Sequence, residues 1–302
     1  MDATVIIPTY DRASLLRLTL ARLLPQMGAA RDVIVVDDGS PNEDTIRLVA
    51  TLAHPALSLV RQPRTGAAAA RNPAIARARG RVLIFLDDDA FVGPHFVDRH
   101  LALHNARRAS LVAGGIVQVR EIPGDIDEAP GLRAFHRHPM PGGNSSAPAS
   151  AVRAVGGYDP WFSSYGWHDQ ELAERLLAAG LKRRFAWGAP IYHYKAPAYD
   201  VDLRAQLARE RERGRMGARF YHKHRRPTVG ITTKLSPAVR AVVSAAARAT
   251  GTPRLVERIE AGQVDGRSVS GWRASVLRAW VESTSGASEL TRLAAGGAAP
   301  TE

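Results

Sequence analysis

The stretch VLIFLDDD, Val82 to Asp89, runs five apolar residues straight into three carboxylates. An apolar run of that length, rich in β-branched and aromatic residues, reads as a buried strand. Side chains alternate along an extended chain, so Asp87 and Asp89 project to one side and Asp88 to the other. Two like charges a few ångströms apart repel by about 1 kcal/mol in water and about 4 kcal/mol at the effective dielectric of a protein surface. A cation beside them relieves that repulsion, and oxygen ligands suit Mg²⁺ or Mn²⁺. An Asp-built turn or cap would use the same residues, but the abrupt passage from strand to acids favours the metal.

Working outward, the first half alternates short β-branched runs with helical patterns. TVIIPTY is followed by a helix from about Arg12 to Leu24, DVIVVDD by one from Asp44 to Ala53, and LSLVRQ by an Ala-rich helix that leads into VLIFLDDD. This order predicts an α/β fold with a Rossmann-like, mostly parallel central sheet flanked by helices. In such sheets ligands bind beyond the carboxyl ends of the strands. A helix near Phe96 to Arg107 and a strand, SLVAGGIVQVR, come next, and the Gly/Pro-rich HPMPGGNSSAP reads as a loop. The helix QELAERLLAAG then places Leu172, Leu176 and Leu177 on one face, with Gly180 as its C-cap. RRFAWGAPIYHY reads as a strand, and an Ala-, Arg- and Ser-rich helical region ends in a Gly/Ala tail. The expected domains are residues 1–228 and a helical C-terminal extension, 229–302, with a frayed end.

Composition narrows the chemistry. The 302 residues are 45% hydrophobic, enough to build a sizeable core. With no cysteine, metal ligands must come from Asp, Glu and His. MDATVIIPTYDR lacks the basic start and apolar run of a secretory signal, and no stretch reaches 18 apolar residues, so a cytoplasmic location without a membrane span is expected. The formal charge is +12, and the segment from Leu203 to Arg226 alone carries nine bases and two acids. A basic helix attracts phosphates, anionic lipid head groups and nucleic acid equally well, or is simply a solvated face.

Four further motifs fall where ligands would bind. Asp37 and Asp38 close the second strand ahead of a Gly-Ser turn, where carboxylates accept from a base or ribose or cap the turn. Arg71 lies inside the small-residue segment RTGAAAARNPAIARARG, placed for a bidentate contact with a base or pyrophosphate, unless the small residues serve only helix packing. Pro73 delays or bends that helix. Asp169, after His168, stands at the start of the amphipathic helix, where it can serve as N-cap, as proton acceptor, or as both. His193, in IYHYK, is either a packed histidine or a third metal ligand.

The order VIIPTYDR, VVDDGS, GAAAARN, FLDDD, GGN, GGYD and GWHDQELAERL resembles the inverting family 2 glycosyltransferases, over about residues 3 to 195. The resemblance implies the GT-A fold and a nucleotide-diphospho-sugar donor. It implies that Pro8, Tyr10, Asp11 and Asp38 hold uracil and ribose, with Arg71 helping to hold the nucleotide. Asp87 and Asp89 match the DxD metal element, with Asp88 near the ribose. Gly142, Gly143 and Asn144 would line the donor-sugar and acceptor side, Trp167 would wall the sugar, and Asp169 would be the general base. His168 stands where the family usually has Glu and is expected to face substrate.

The expected function is metal-dependent, inverting transfer of a sugar to a hydroxyl or amine acceptor. The donor would be a UDP-hexose or UDP-N-acetylhexosamine, and the ion Mn²⁺ or Mg²⁺. A competing class is a non-catalytic protein that binds nucleotide sugars or anionic polymers through the basic helix. No nucleic-acid partner is expected, peripheral membrane contact is left open, and the acceptor and oligomeric state are not specified by the sequence.

Overall fold

The computed structural model describes residues 2–66, 68–107, 109–196, 202–264, 269 and 271–295. The chain divides into two compact units: Met1–Ser163 with His168–Lys195, and Ser164–Trp167 with Ala196–Glu302. The boundary expected after residue 228 falls inside the second unit, so the basic helix groups with the C-terminal helices.

In the first unit β1 (Ala3–Thr9), α1 (Ala13–Leu23), β2 (Arg31–Asp38), α2 (Asp44–Leu52) and β3 (Leu57–Gln62) follow the expected alternation. The Ala-rich segment departs from it. Ala69–Arg71 form a 3-10 turn, and α3 begins only at Asn72–Arg77, with Pro73 in its first turn. Proline is tolerated there because its missing N–H would have no helical partner. Next come β4 (Val82–Leu86), β5 (Ala90–Val92), α4 (Phe96–Ala106), β6 (Ser110–Val119), β7 (Asn144–Pro148), α5 (Ala149–Ala154), α6 (His168–Ala178) and β8 (Lys182–Tyr194).

The eight strands form one sheet in the order β3-β2-β1-β4-β7-β6-β8-β5. β3, β2, β1 and β4 are mutually parallel, whereas β7 inserts antiparallel between β4 and β6. β1, β2 and β4 are buried on both faces, which explains their near-continuous apolar sequence, while the edge strand β3 is only half-buried. Val5, Ile7, Val33, Val35 and Ile84 pack with Leu16, Leu20, Phe96 and Val97 on one side. Ile6, Ile34, Leu83 and Phe85 pack with Ile75, Tyr158, Leu172 and Leu176 on the other.

β7 corrects the reading of HPMPGGNSSAP as a loop. Its residues Asn144, Ser145 and Ser146 are polar yet fully buried. Asn144 and Ser146 tolerate this because a side-chain network takes up their polarity, whereas the Ser145 hydroxyl has no partner among the described residues. Asn144 Nδ2 donates to the carbonyls of Gly115 and Ala189, both at 2.8 Å. Its Oδ1 must then accept from His100 Nε2 at 3.0 Å, which leaves His100 Nδ1 to accept from the Ser146 hydroxyl at 2.9 Å. Ser146 Oγ in turn accepts from His104 Nε2 at 2.9 Å. Two carbonyl acceptors thus fix every proton of a chain tying α4 to the middle of the sheet.

The second unit contains α7 (Leu203–His224), α8 (Pro227–Thr232), α9 (Pro237–Ala249), α10 (Thr252–Glu260) and α11 (Gly271–Ala294). Leu203 and Leu207 of α7 pack with Val256, Ile259, Leu277 and Val281. A side chain at Gly214 would meet the Glu282 carbonyl at 2.3 Å, so glycine lets α7 and α11 approach closely. Bases of α7 pair with acids around it: Arg213 lies 3.3 Å from Glu282, Arg219 lies 3.4 Å from Glu289, and Arg211 meets Glu260. Arg211, Arg213 and Arg219 of the basic helix thus face carboxylates of α10 and α11. The tail expected to fray lies largely outside the described residues. Among the described residues no helix is long and apolar enough to cross a membrane.

Candidate functional site

The carboxyl end of β4 is where distant parts of the first unit meet. Leu86 is paired with Asn144, so antiparallel β7 begins where β4 ends, and Gly142 and Gly143 arrive beside the acidic trio. β5 leaves the trio and pairs with β8, setting Ala90 opposite His193.

Asp87, Asp89 and His193 each offer one ligand atom, all within 4.8 Å of one another. His193 Nε2 lies 3.0 Å from Asp89 Oδ1, and Gln118 Nε2 reaches the other ring nitrogen at 3.1 Å, which fixes the orientation of the imidazole. Burial opposes ionisation of Asp89, but the hydrogen bond and charge of His193, with Arg12, override it and hold the carboxyl below its usual range. Burial likewise pulls His193 down, and Asp89 and Asp87 more than reverse this. Two carboxylates and an imidazole, with no thiolate, form a donor set that can hold a divalent cation.

The trio lies in the turn between β4 and β5, not in extended chain, so the expected alternation does not hold, and Arg12 bridges Asp89 to Asp88. Thr9 Oγ1 donates to Asp88 at 2.7 Å and Arg12 Nη1 at 3.0 Å, and Arg12 also reaches Asp89 at 2.8 Å. Burial pushes the Asp88 carboxyl up to about 6 against the pull of Arg12, and the neighbouring Asp89 adds repulsion. Thr19 Oγ1 donates to the Asp88 carbonyl at 2.8 Å, anchoring the trio to α1.

Arg71 is buried and donates to Asp87 Oδ1 at 2.8 Å, with its guanidinium 5.6 Å from the Tyr158 ring centre. The Tyr158 hydroxyl donates to Asp169 Oδ1 at 3.1 Å, and His168 Nε2 lies 3.4 Å from Asp169 Oδ2. Burial, then the charge of Asp169, raises the Tyr158 phenol well above its usual range, so it remains a donor. Glu171, fully buried, takes a bidentate bond from Arg175, whose Nη1 holds the Val155 carbonyl at 2.6 Å next to the Gly156–Gly157 turn that delivers Tyr158. The two glycines ahead of β7 have a steric reason. A Cβ on Gly142 would stand 2.7 Å from both Asp169 oxygens, and one on Gly143 would stand 2.3 Å from Asp87 Oδ2. Only glycine lets the loop pass between two carboxylates this closely.

The remaining expected residues distribute as follows. Pro8 is buried near the end of β1, beside Val36. Tyr10 carries the Arg64 guanidinium 3.9 Å from its ring centre, and Asp11, at φ +53°, accepts from Asn42 at 2.9 Å. Asp38 accepts from Thr65 N and Gly66 N, each at 2.8 Å, and from Gln62 at 2.9 Å. Its carboxylate thus organises the loop after β3. Two expectations of substrate contact do not match where the side chains lie. Asn144 is turned into the interior network described above. Trp167 belongs to the second unit, where its indole donates to the Arg213 carbonyl at 3.0 Å and stacks on Phe220. Thr9, Arg12, Gln118 and Tyr158 join the site without having been assigned to it from the sequence. Thr9, Arg12 and Tyr158 nevertheless sit inside motifs already singled out.

Residues 4–146 match the model of Glycosyl transferase family 2. The chain is 32% identical to validoxylamine A glucosyltransferase of Streptomyces hygroscopicus subsp. jinggangensis, over 66% of this chain and 57% of the relative. It is 27% identical to chondroitin synthase of Escherichia coli, over 64% of this chain and 35% of that one. The chain therefore spans little more than half the length of the first of these relatives, and less of the second. Its fold is similar to that of a mannosyltransferase from Pyrobaculum calidifontis solved in complex with GDP-Man and Mn²⁺. That match has a TM-score of 0.67 and 18% identity and covers 96% of this chain and 86% of the other. It is also similar to S. aureus TarS 1-349 in complex with UDP-GlcNAc, at a TM-score of 0.54 and 15% identity over 98% and 92%. The fold is thus similar to that of the GT-A glycosyltransferases, and residues 4–146 match glycosyl transferase family 2.

Proposed function

We propose that the chain transfers a sugar from a nucleoside-diphosphate donor, a UDP-sugar in the first instance, to a hydroxyl or amine acceptor with inversion and with a divalent ion. The observation that carries this is the convergence of Asp87, Asp89 and His193 at the carboxyl edge of the sheet, with Asp169 brought to the same rim across Gly142 and Gly143. Asp87, Asp89 and His193 would hold Mn²⁺ or Mg²⁺, which when bound offsets charge on the leaving diphosphate.

The protein's own groups do the rest. Pro8, Tyr10 and Asp11 line the base and ribose side, with Asp38 shaping the neighbouring loop. Arg71 holds Asp87 in place for the ion and adds positive charge near the phosphates. Asp169, oriented by Tyr158, takes the proton of the acceptor as the acceptor's oxygen or nitrogen bonds to the anomeric carbon. The bond from that carbon to the diphosphate oxygen breaks in the same displacement, which inverts the centre. His168 lies against Asp169 on the face where acceptor and sugar meet.

The test is nucleotide release from UDP-, GDP- and dTDP-sugars with Mn²⁺, comparing wild type with Asp169→Asn. Turnover should fall by about 10²–10⁴-fold while nucleotide affinity stays close to that of wild type. Equal turnover in the two proteins would remove Asp169 from the mechanism.

A further inference from the structure

Beside α6, on the outer part of the sheet, the first unit exposes aromatic surface that its own core does not use. Phe135 and Trp187 are 45% and 51% exposed, and Leu132 next to them is 82% exposed. The Phe135 and Trp187 rings stack at 5.5 Å with 12° between their planes, and Phe185 lies 4.6 Å from Trp187 and 5.3 Å from Phe135. Leaving such rings in water forgoes favourable burial, so a grouped exposed set marks a binding surface.

The backbone is shaped to present them. β8 follows β6 in register up to Ala186 opposite Gly114 and resumes with Ile191 opposite Ile116, so residues 187–190 bulge out opposite Gly115. A bulge re-aims a side chain, here Trp187. A Cβ on Gly115 would lie 2.7 Å from Ala134 Cβ, so glycine lets the 3-10 turn Gly131–Ala134 seat against β6 and bring Phe135 over the strand.

Polar groups lead from this surface to the proposed base. The His136 ring meets Phe185 at 5.6 Å and His138 at 5.7 Å, and His138 Nδ1 is 3.0 Å from Gln170 Nε2, one residue along α6 from Asp169. Arg183, on the same side of β8 as Phe185, donates to the His138 carbonyl at 3.2 Å.

We infer that Phe135, Phe185 and Trp187 form an acceptor platform for a carbohydrate, on which pyranose rings lie with their C–H faces against the aromatic rings. This rests on the glycosyltransferase reading above and names the acceptor class of that site. The chemistry matches a sugar on both counts. A pyranose offers a patch of polarised C–H bonds on one face, which suits the negative face of an aromatic ring. Its equatorial hydroxyls need donors and acceptors at the rim, where His138, Gln170 and Arg183 stand. An acceptor of more than one ring can lie on the platform while its terminal hydroxyl reaches toward Asp169.

The test titrates wild type, in the presence of Mn²⁺ and UDP, with gluco-, galacto- and manno-configured hexasaccharides, following tryptophan fluorescence and calorimetric heat. At least one saccharide should bind. Trp187→Ala and Phe135→Ala should each weaken it tenfold or more, and Trp187→Phe should retain affinity within about threefold, with melting curves confirming that each variant folds. UDP, GDP and dTDP titrated with Mn²⁺ into the same wild-type sample report the donor site separately. If a nucleotide binds and no saccharide does, the platform is wrong and the donor reading stands. If no nucleotide binds, the donor reading falls, and the platform falls with it. Saccharide binding unaffected by both alanine variants would overturn the platform. So would a change of sedimenting mass in Trp187→Ala, which would assign the patch to a second copy of the chain.

Discussion

The Tyr158 hydroxyl donates to Asp169 Oδ1 at 3.1 Å, and burial keeps that phenol protonated. The GGYD segment thereby aims the carboxylate that the amphipathic helix presents. A hydrogen bond to a charged group contributes about 1.5–3 kcal/mol. Tyr158→Phe, which keeps the ring's edge contact with Phe85 at 5.7 Å, should therefore lower kcat by roughly 10–100-fold and leave KM for the donor within about twofold. Steady-state kinetics read this directly, and an unchanged kcat would make the contact incidental.

The two glycines before β7 should separate binding from turnover. A Cβ on Gly143 would stand 2.3 Å from Asp87 Oδ2, so Gly143→Ala should displace that carboxylate and weaken Mn²⁺ binding by more than tenfold, measured calorimetrically. A Cβ on Gly142 would stand 2.7 Å from both Asp169 oxygens, so Gly142→Ala should reduce kcat with a smaller effect on the ion. Both overpack a crowded site and should cost about 1–3 kcal/mol of stability.

Asn144 bonds three buried partners, at 2.8, 2.8 and 3.0 Å. Each partner left unsatisfied costs about 1–3 kcal/mol. Asn144→Ala should therefore lower unfolding free energy by about 3 kcal/mol or more. Asn144→Asp, which turns an oxygen onto two carbonyl oxygens, should lower it further at pH 7. Urea midpoints decide this, and a near-neutral Asn144→Ala would return the residue to a substrate role.

The same network should make stability depend on pH. Burial lowers both His100 and His104 from 6.5 to about 4; for His100 the bond to Asn144 works the other way, and in each a nearby positive charge adds to the lowering. Below 6.5 the unfolded chain takes up protons that the folded chain excludes. The contribution is thus complete above pH 6.5 and is lost as pH falls from 6.5 to about 4, with a slope approaching 1.4 kcal/mol per pH unit per histidine. Urea midpoints between pH 7.5 and 4.5 should show this, with a shallower slope in His104→Gln. Equal slopes in the two proteins would contradict it.

The β/α alternation and the acidic trio were legible in the sequence because both rest on local cues, apolar runs of strand length and carboxylates at the end of one of them, although the trio itself turns and does not keep the period-two alternation of a strand. Asp87, Asp89 and His193 were named from those cues and from the motif order, and the structure brings the three together. β7 was illegible because a strand reading looks for apolar residues, whereas Asn144 and Ser146 are buried by bonding to histidines on α4, some 40 residues earlier. Asn144 and Trp167 were assigned by motif position. A motif gives the path of the backbone and not the direction of a side chain, and here one turns into the sheet while the other stacks on Phe220. The pairing of the basic helix with Glu260, Glu282 and Glu289 depends on residues up to 70 positions away, so composition alone reads that helix as a free cationic face.

The central claim is a nucleoside-diphosphate site that needs a divalent ion held by Asp87, Asp89 and His193. Calorimetric titration with UDP, GDP and dTDP, each with and without Mn²⁺, tests it most directly when repeated with Asp89→Ala. One of the nucleotides should bind only when Mn²⁺ is present, and Asp89→Ala should abolish that binding. Binding that is indifferent to both the ion and Asp89, or no binding of any of the three, would contradict it.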